Sequence, residues 1–374
     1  MPKLPRPPRA LPPPEPPGPP ATAEVVVAGA GLAGAAVALA LSATRDVLVL
    51  DDGAPGASGA AAGIVNPFMG RAARPAWRHR DALAALDALL DAADAERLIR
   101  RTGVLRPARD DRQREVFEDR AAHHDGLDWL APDAAADRFP DVGAPEGAMW
   151  VREGASVDLP RLARAALAIA ERQGARLLSQ RLTGWRRDGA DLVAETDGPS
   201  VRCRHLVLAL GDGAHRLTAL DALPLHRVKG QTLWLARPSS LAPDHPAVAG
   251  HGYVVPTADH VLVGATYEHD VTSTAPDPRR DAGLRQRAAA LVPALAEADV
   301  LDRRAGVRIT VPARVSPRRL PLAGPLPGHG GVWILTGLGS KGLLMAPLLA
   351  RALANALDGR ALPPETDPRA VLGA

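Results

Sequence analysis

"EVVVAGAGLAGAAVALALSATRDVLVLDD", residues 24–52, is the stretch that decides the fold of this chain. It begins with an apolar run, passes through a tight glycine turn into a longer run of small residues, and ends in a second apolar run. Short apolar runs bounded by turn residues indicate strands, and the longer run of small residues between them indicates a helix. The stretch therefore predicts a βαβ unit.

The glycine turn has the spacing G-x-G-x-x-G, with Gly29, Gly31 and Gly34 between the first strand and the helix. The first glycine of such a turn permits the tight bend, the second lets a pyrophosphate approach the backbone, and the third lets helix and strand pack closely. The helix N-terminus then offers N–H groups to the phosphates. Asp51, at the tip of the second strand, is placed to accept a hydrogen bond from a ribose hydroxyl. A dinucleotide site is predicted, since the alternative of an ordinary close-packed turn leaves this acid unexplained.

The bulk composition limits the function classes. The 374 residues are 46% hydrophobic and 23% charged, as in a globular protein long enough for two domains. The net charge of +3 is small for this length, so a nucleic-acid partner such as tRNA stays open without being favoured. Cys203 is the only cysteine, which excludes an intrachain disulfide and a cysteine metal site and predicts a cytoplasmic location. His251, His260 and His269 lack metal-site spacing, so no metal is predicted. No apolar run reaches the roughly 18–20 residues of a membrane span, so none is predicted.

The distribution of strands and helices predicts an α/β protein with two domains built from alternating parts of the chain. Residues 1–21 are rich in proline and are expected to form a disordered tail. Helices are predicted over 78–101 and 159–173, and mostly strands over 225–266. The predicted domains are a discontinuous Rossmann-like domain over 22–90, 152–222 and 316–374, and a mainly antiparallel β-sheet domain over 91–151 and 223–315.

A long loop of small residues, "GAPGASGAAAGIVNPFMGRAARPAW" (53–77), follows the βαβ unit. With few side chains to obstruct approach, such a loop can lie against a cofactor with its N–H groups and the Ser58 hydroxyl. A flexible surface loop is an equal alternative on composition alone.

Six segments that follow the glycine turn and Asp51 carry a further signal in their order and spacing. They are "GASGAAAG" (56–63), "HLVLALGDGAH" (205–215), "VKGQTLWL" (228–235), "GYVVPTADHVLVGAT" (252–266), "GVRITVPARVSPRRLPLAGP" (306–325) and "TGLGSKGLLMAPLLARALANAL" (336–357). Together with the glycine turn and Asp51, these segments resemble the D-amino acid oxidase superfamily of FAD-dependent oxidoreductases, which includes glycine oxidase and sarcosine oxidase. The "ASG" loop of the first segment and the glycine turn and helix of the last are also similar to the oxidoreductase half of a bifunctional enzyme that modifies a wobble uridine of tRNA.

The resemblance implies FAD as the cofactor, held non-covalently because no cysteine lies in the last third of the chain. It implies that the first glycine turn holds the pyrophosphate and Asp51 the adenosine ribose. It also implies that further residues contact the adenine or the flavin, or end a strand that passes the cofactor. These are Leu182 at the adenine, Ser58, Gly59 and Gly63 along the flavin, Gly211 at a strand end, and Gly337, Gly339, Ser340, Lys341 and Gly342 at the flavin pyrimidine edge.

The second glycine turn is implied to stabilise the negative charge that gathers on a reduced flavin, through N–H groups and the helix dipole. Lys341 adds a full positive charge to this effect or points to solvent. Two glycine turns far apart in sequence would then hold the two ends of one elongated cofactor.

Two residues are implied to bind the substrate. Arg308 matches the family arginine that pairs with a substrate carboxylate, for which a planar guanidinium is suited because it donates two parallel hydrogen bonds. On the residues alone it is equally a surface charge in an arginine-rich chain. Tyr253, one of two tyrosines, matches a position whose hydroxyl reaches the same carboxylate; the alternative is a packed core residue.

The predicted function is oxidation of the C–N bond of an amino acid or N-substituted glycine, a small-molecule amine, with hydride transfer to FAD. Arg308, Tyr253 and Lys341 are the predicted catalytic residues. The alternatives are a tRNA-modifying oxidoreductase acting on carboxymethylaminomethyl-uridine and a non-catalytic FAD-binding protein.

Overall fold

The computed structural model describes residues 21–372. The predicted disordered tail lies outside the described residues, except for Ala21, which already belongs to the first strand. Within the described range the α-helices are α1 (Leu32–Ser42), α2 (Ala57–Ala60), α3 (His79–Ala92), α4 (Asp111–His123), α5 (Pro132–Arg138), α6 (Leu159–Arg172), α7 (Asp281–Leu291), α8 (Gly342–Leu357) and α9 (Pro368–Leu372).

The strands of the same range form two large sheets and two small ones. They are β1 (Ala21–Ala28), β2 (Val47–Leu50), β3 (Ile64–Val65), β4 (Phe68–Met69), β5 (Arg74–Pro75), β6 (Ile99–Arg100), β7 (Val104–Pro107), β8 (Leu127–Leu130), β9 (Ala148–Val151), β10 (Ala155–Val157), β11 (Arg176–Leu178), β12 (Leu182–Asp188), β13 (Asp191–Thr196), β14 (Val201–Leu208), β15 (His226–Ala236), β16 (Ala247–Ala249), β17 (Tyr253–Pro256), β18 (His260–Gly264), β19 (Val300–Thr310), β20 (Leu322–Pro325) and β21 (Val332–Thr336).

The first sheet has the order β11–β2–β1–β14–β13–β12, and β21 pairs with β14 beside it. Its strands β11, β2, β1, β14 and β21 run parallel. Helices α1, α3, α6 and α8 pack on one face in a single apolar cluster. Alanines and leucines dominate this cluster because closely packed helices leave room only for small or flexible side chains. A second apolar cluster covers the opposite face.

The second sheet has the order β19–β15–β18–β17–β16–β7–β9–β8. Its pairs are antiparallel except for β16 with β7. Helix α7 packs on one face, around Leu284 and Leu291. The opposite face of β15 and β19 is turned toward the small-residue segment α2, which therefore lies between the second sheet and the helices α1 and α6 of the first.

The predicted α/β architecture with a mainly antiparallel second sheet is confirmed. The helix predicted over 159–173 is confirmed as α6, followed by Gly174 at a positive φ. The helix predicted over 78–101 is wrong at its end: α3 stops at Ala92, and Asp94 takes the left-handed conformation that ends a helix. The domain boundaries stay a prediction. None of the helices between residues 21 and 372 is long and apolar enough to cross a bilayer.

Candidate functional site

The first glycine turn is built by close backbone packing at the carboxyl end of β1. Gly29 has φ +102°, and a Cβ there would lie 2.5 Å from the Ala209 carbonyl oxygen. A Cβ on Gly34 would lie 1.7 Å from the Gly29 carbonyl oxygen. These two positions therefore admit only glycine, because backbone atoms on the neighbouring strand and turn cannot move aside.

Gly31 differs from its two neighbours in the motif. A Cβ there would meet only the Ser58 hydroxyl, at 3.4 Å, and the φ of −64° suits any residue. Gly31 is the N-cap of α1 and has no side chain with which to cap the helix. Packing therefore leaves Gly31 free to vary, and the open space over this helix N-terminus fits a phosphate group.

Asp51 and Ser58 lie beside this helix N-terminus. The Asp51 carboxylate accepts hydrogen bonds from the N–H of Ala30 at 2.6 Å and of Gly53 at 2.7 Å, which fixes both oxygens at the strand tips. Each carboxylate oxygen has a second lone pair, so Asp51 can also accept from a ribose hydroxyl. The Ser58 hydroxyl accepts from the N–H of Leu32 at 3.2 Å, which places Ser58 at the N-terminus of α1, and its predicted position along a flavin stays a prediction.

Helices α1 and α8 begin at the same edge of the first sheet. Strands β1 and β21 both run parallel to β14, and each leads through a glycine turn into its helix. The two helices pack side by side in one apolar cluster. Two helix N-termini, neither capped by the side chain of its own N-cap residue, thus begin at the same edge of the sheet.

The second glycine turn is held against the end of β19. Gly337 has φ +76°, and a Cβ there would lie 2.6 Å from the Val311 side chain. Gly339 has φ +54°, and Thr310 forms a bridge with Leu338. The turn therefore lies beside the strand that carries Arg308.

Lys341 uses its ammonium group to bind two backbone carbonyls. Its Nζ donates to the Arg318 carbonyl at 2.7 Å and to the Arg319 carbonyl at 3.0 Å. Burial lowers the pKa of the Lys341 ammonium, and the Arg319 charge lowers it further. The lysine side chain thus ties the second glycine turn to the 318–319 turn, and its effect on a flavin stays a prediction.

We expect Lys341→Met to lower the free energy of unfolding by about 1–3 kcal/mol, because two charge-assisted hydrogen bonds to carbonyls are lost. Urea unfolding of the apoprotein measures this. We also expect the flavin to become harder to reduce, measured as a more negative midpoint potential. A loss of stability with an unchanged potential would show that Lys341 only holds the turn.

The small-residue segment α2 is held against strands β15 and β19 of the second sheet. A Cβ on Gly306 of β19 would lie 2.7 Å from the Ala57 Cα. Arg304 donates to the Gly59 carbonyl at 3.2 Å, and the Thr232 hydroxyl donates to the Ala60 carbonyl at 3.2 Å. The predicted cofactor loop is thus an ordered part of the site, with its carbonyls bonded to the second sheet.

The other predicted cofactor residues lie at several places in the fold. Gly63 needs to be glycine for packing, because a Cβ there would lie 1.8 Å from the Val157 carbonyl oxygen. Leu182 is buried at the start of β12, and Gly211 has φ +54° after β14. Ser340 is exposed, and Gly342 begins α8. For these residues, cofactor contact stays a prediction.

Arg308 is an unpaired arginine on the face of β19 that is turned toward α2. Its neighbours Arg303 and Arg304 form ion pairs with Asp281 and Asp302. Among residues 21–372, no aspartate or glutamate lies within ion-pair distance of Arg308. The half-buried Arg308 guanidinium is therefore chemically suited to pair with a carboxylate, and its predicted role at a substrate stays a prediction.

Tyr267 lies next to this guanidinium, and Tyr253 lies near enough to be influenced by its charge. The Tyr267 ring lies 4.2 Å from the Arg308 guanidinium carbon, and Arg308 Nη2 donates to the Thr266 carbonyl at 3.1 Å. Burial raises the pKa of the Tyr253 phenol above its ordinary range, and the nearby Arg308 charge offsets this only in part. The Tyr253 hydroxyl therefore stays protonated at working pH, and its contact with a substrate carboxylate stays a prediction.

Gly230 provides the space that the guanidinium occupies. A Cβ there would lie 2.7 Å from Arg308 Nη2 and 3.1 Å from its Cζ. We expect the Gly230→Ala variant to fold normally, because the Arg308 guanidinium is the end of a flexible side chain and can move aside. Its displacement should raise KM for a carboxylate substrate about ten- to a hundredfold. Steady-state kinetics test this, with Gly283→Ala as the control because a Cβ at Gly283 meets nothing within 4 Å. Equal KM values for the two variants would contradict it.

A family model described as "DAO: FAD dependent oxidoreductase" matches residues 24–356. The chain belongs to the DAO family of FAD-dependent oxidoreductases. This confirms the predicted family, its enzyme class and its cofactor.

Two kinds of relative within the DAO family are similar to this chain. The tRNA 5-methylaminomethyl-2-thiouridine biosynthesis bifunctional protein MnmC of Caulobacter is 36% identical over 345 residues, covering 88% of this chain and 53% of that protein. Glycine oxidase of Pseudomonas aeruginosa is 33% identical over 361 residues, covering 90% of this chain and 95% of that protein. The chain thus spans about half of the bifunctional relative and nearly all of the glycine oxidase.

Solved structures of DAO-family proteins share the fold. Glycine oxidase from Geobacillus kaustophilus superposes with a TM-score of 0.80 at 23% identity, covering 91% of this chain and 96% of that one. Iminodiacetate oxidase from Chelativorans superposes with a TM-score of 0.79 at 26% identity and the same coverage. The close backbone packing at Gly29 and Gly34, the open space over Gly31 at the N-terminus of α1 and the anchored Asp51 fit FAD.

Two residues of this DAO-family site were missed by the sequence analysis. Tyr267 and Gly230 both contact the Arg308 guanidinium. Tyr267 carried one usable signal, since it is the only tyrosine besides Tyr253. Gly230 carried none beyond its place in a strand.

Proposed function

We propose that this oxidoreductase oxidises the C–N bond of an amino acid or N-substituted glycine. The observation that carries the proposal is the unpaired Arg308 guanidinium beside the protonated Tyr253 hydroxyl. Together they form a two-point site for the carboxylate of such a substrate. The similarity to proteins named glycine oxidase and iminodiacetate oxidase supports the same substrate class.

The residues of the chain supply orientation. The Arg308 guanidinium binds the carboxylate and the Tyr253 hydroxyl donates a hydrogen bond to it. Gly230 leaves the space that the guanidinium occupies. FAD supplies the hydride acceptor when it is bound. Fixing the carboxylate aligns the substrate Cα–H. The substrate therefore loses its rotational freedom when it binds, and this loss does not add to the barrier of the chemical step.

An anaerobic titration tests the proposal. Purified protein is expected to be yellow and to release FAD on denaturation, which also tests the predicted non-covalent attachment. N-methylglycine, glycine and iminodiacetate are then added without oxygen, and bleaching of the flavin absorbance is recorded. A flavin that none of these amines reduces would favour the alternative of a non-catalytic FAD-binding protein.

A second candidate is oxidation of a carboxymethylaminomethyl-uridine in tRNA, which is itself an N-substituted glycine. The similarity to MnmC proteins supports it, although the chain covers only 53% of the Caulobacter protein. Analysis of wobble nucleosides in a deletion strain separates the two candidates, since an unchanged nucleoside profile removes this one. The cytoplasmic location stays a prediction.

A further inference from the structure

We propose that Tyr267, with His226 and His269, forms a subsite for a planar ring carried on the amine nitrogen of the substrate. The inference rests on the proposed function, because it takes Arg308 as the group that binds the substrate carboxylate. It narrows the substrate class to N-substituted glycines whose substituent carries an aromatic ring or a nucleobase.

Tyr267 is the first observation. Its ring lies 4.2 Å from the Arg308 guanidinium, yet the residue is 62% exposed. A guanidinium covers one face of a ring, so the other face is open to solvent. Because Arg308 already holds the ring in place, binding a ligand on the open face costs little further loss of side-chain freedom.

Strand register explains why Tyr267 stands at this point. Lys229 and Glu268 form an antiparallel bridge, which places Tyr267 opposite Gly230. Gly230 has no side chain, and the Arg308 guanidinium fills the space over it. Tyr267 therefore packs on the guanidinium, on the same face of the sheet.

Two histidines extend this face. His226 Nε2 and His269 Nδ1 are 2.8 Å apart, and both residues are exposed. His226 pairs with Thr310 and Val228 pairs with Arg308, so His226 and Arg308 lie on the same side of the sheet. Their hydrogen bond holds the imidazoles together, with ring centroids 5.1 Å apart and planes tilted by 31°.

The three rings thus lie on the side of the sheet where the carboxylate is bound. A ligand that places a carboxylate on Arg308 brings the atoms attached to it close to Tyr267, because the guanidinium and the tyrosine ring are in contact. Stacking on an aromatic side chain tolerates any planar ring. A ring joined to the glycine unit by a short linker would therefore lie against Tyr267.

Binding of ligands that cannot be oxidised tests the subsite without turnover. Phenoxyacetate carries a carboxylate and a ring, and acetate carries the carboxylate alone. By isothermal titration calorimetry of the FAD-loaded protein, we expect phenoxyacetate to bind about tenfold more tightly than acetate. We expect Tyr267→Leu to abolish this preference and Tyr267→Phe to retain it.

The control is Leu301→Ala, which removes another exposed apolar side chain, 57% exposed, from the same strand as Arg308. It is expected to leave the preference unchanged. Equal affinities of the wild-type protein for the two ligands, or a preference that survives Tyr267→Leu, would overturn the subsite. Either result is independent of whether amines reduce the flavin, so the two proposals fail separately.

Flavin reduction then identifies the source of the ring. N-benzylglycine and 5-carboxymethylaminomethyl-uridine are compared with N-methylglycine in anaerobic stopped-flow experiments. The subsite is supported if either ring-bearing amine has a higher kcat/KM than N-methylglycine in the wild-type protein and loses this advantage in Tyr267→Leu. The ring-bearing amine with the higher kcat/KM then shows whether the substituent is an aryl group or a nucleobase. If neither exceeds N-methylglycine, the inference is wrong.

Discussion

Gly34→Ala is expected to prevent stable folding of the cofactor domain. The new Cβ would lie 1.7 Å from the Gly29 carbonyl oxygen, and neither backbone segment can move without breaking the packing of β1 against α1. Overpacking of a backbone contact this close should cost more than about 3 kcal/mol, a large fraction of the stability of a typical domain. Urea unfolding of the apoprotein and the FAD content of the soluble fraction measure the effect.

Gly31→Ala provides the matched comparison. Its Cβ would meet only the Ser58 hydroxyl at 3.4 Å, so the apoprotein should unfold at the same urea concentration as the wild type. The added methyl group would stand where a pyrophosphate approaches the backbone, and we expect FAD affinity to fall by about 100-fold. Full retention of FAD by Gly31→Ala would refute the cradle, whereas normal stability of Gly34→Ala would refute the packing argument.

Arg308→Ala is expected to lower kcat/KM for N-methylglycine by about 100- to 1000-fold, because the substrate carboxylate loses a charge-assisted, two-point partner. FAD content should not change, since the contacts of Arg308 are with Thr266 and Tyr267. Arg308→Lys should recover only part of the loss, because an ammonium group cannot form the planar fork. Anaerobic stopped-flow reduction of the flavin measures all three proteins.

Arg303→Ala is the control for this experiment. Arg303 lies on the same strand and its charge is paired with Asp281 at 2.6 Å, at the surface. Loss of an exposed ion pair should cost at most about 1 kcal/mol of stability and leave the kinetics unchanged. If Arg303→Ala and Arg308→Ala lowered kcat/KM equally, the loss would be a general effect of charge and the site assignment would fail.

The first βαβ unit could be predicted from the residues alone because its determinants are local. The apolar runs, the glycine spacing and Asp51 lie within one continuous stretch. In the structure, the Asp51 carboxylate accepts a hydrogen bond from the N–H of Ala30 in the glycine turn. The small-residue loop was ambiguous by composition. Its order depends on Arg304 and Thr232, which are far away in sequence and bind its carbonyls.

The substrate side could be predicted only through family resemblance. Tyr267 reaches Arg308 because the bridge between Lys229 and Glu268 sets the register of two distant segments. Such a register depends on long-range strand pairing, which a single sequence does not encode locally. Lys341 shows the same limit, since its partners are backbone carbonyls of a turn that has no side-chain signature.

The position of β21 beside β14 has a consequence for biosynthesis. The ribosome completes β1 and its glycine turn early, but β21 and α8 emerge only after the whole second sheet has been made. Until then the side of α1 that α8 covers stays exposed on the nascent chain, although α6 has already been made and covers its own side of α1. Capture of the cofactor and closure of the first sheet become late events, and a chain that stalls before residue 332 would expose this face to aggregation and to proteases.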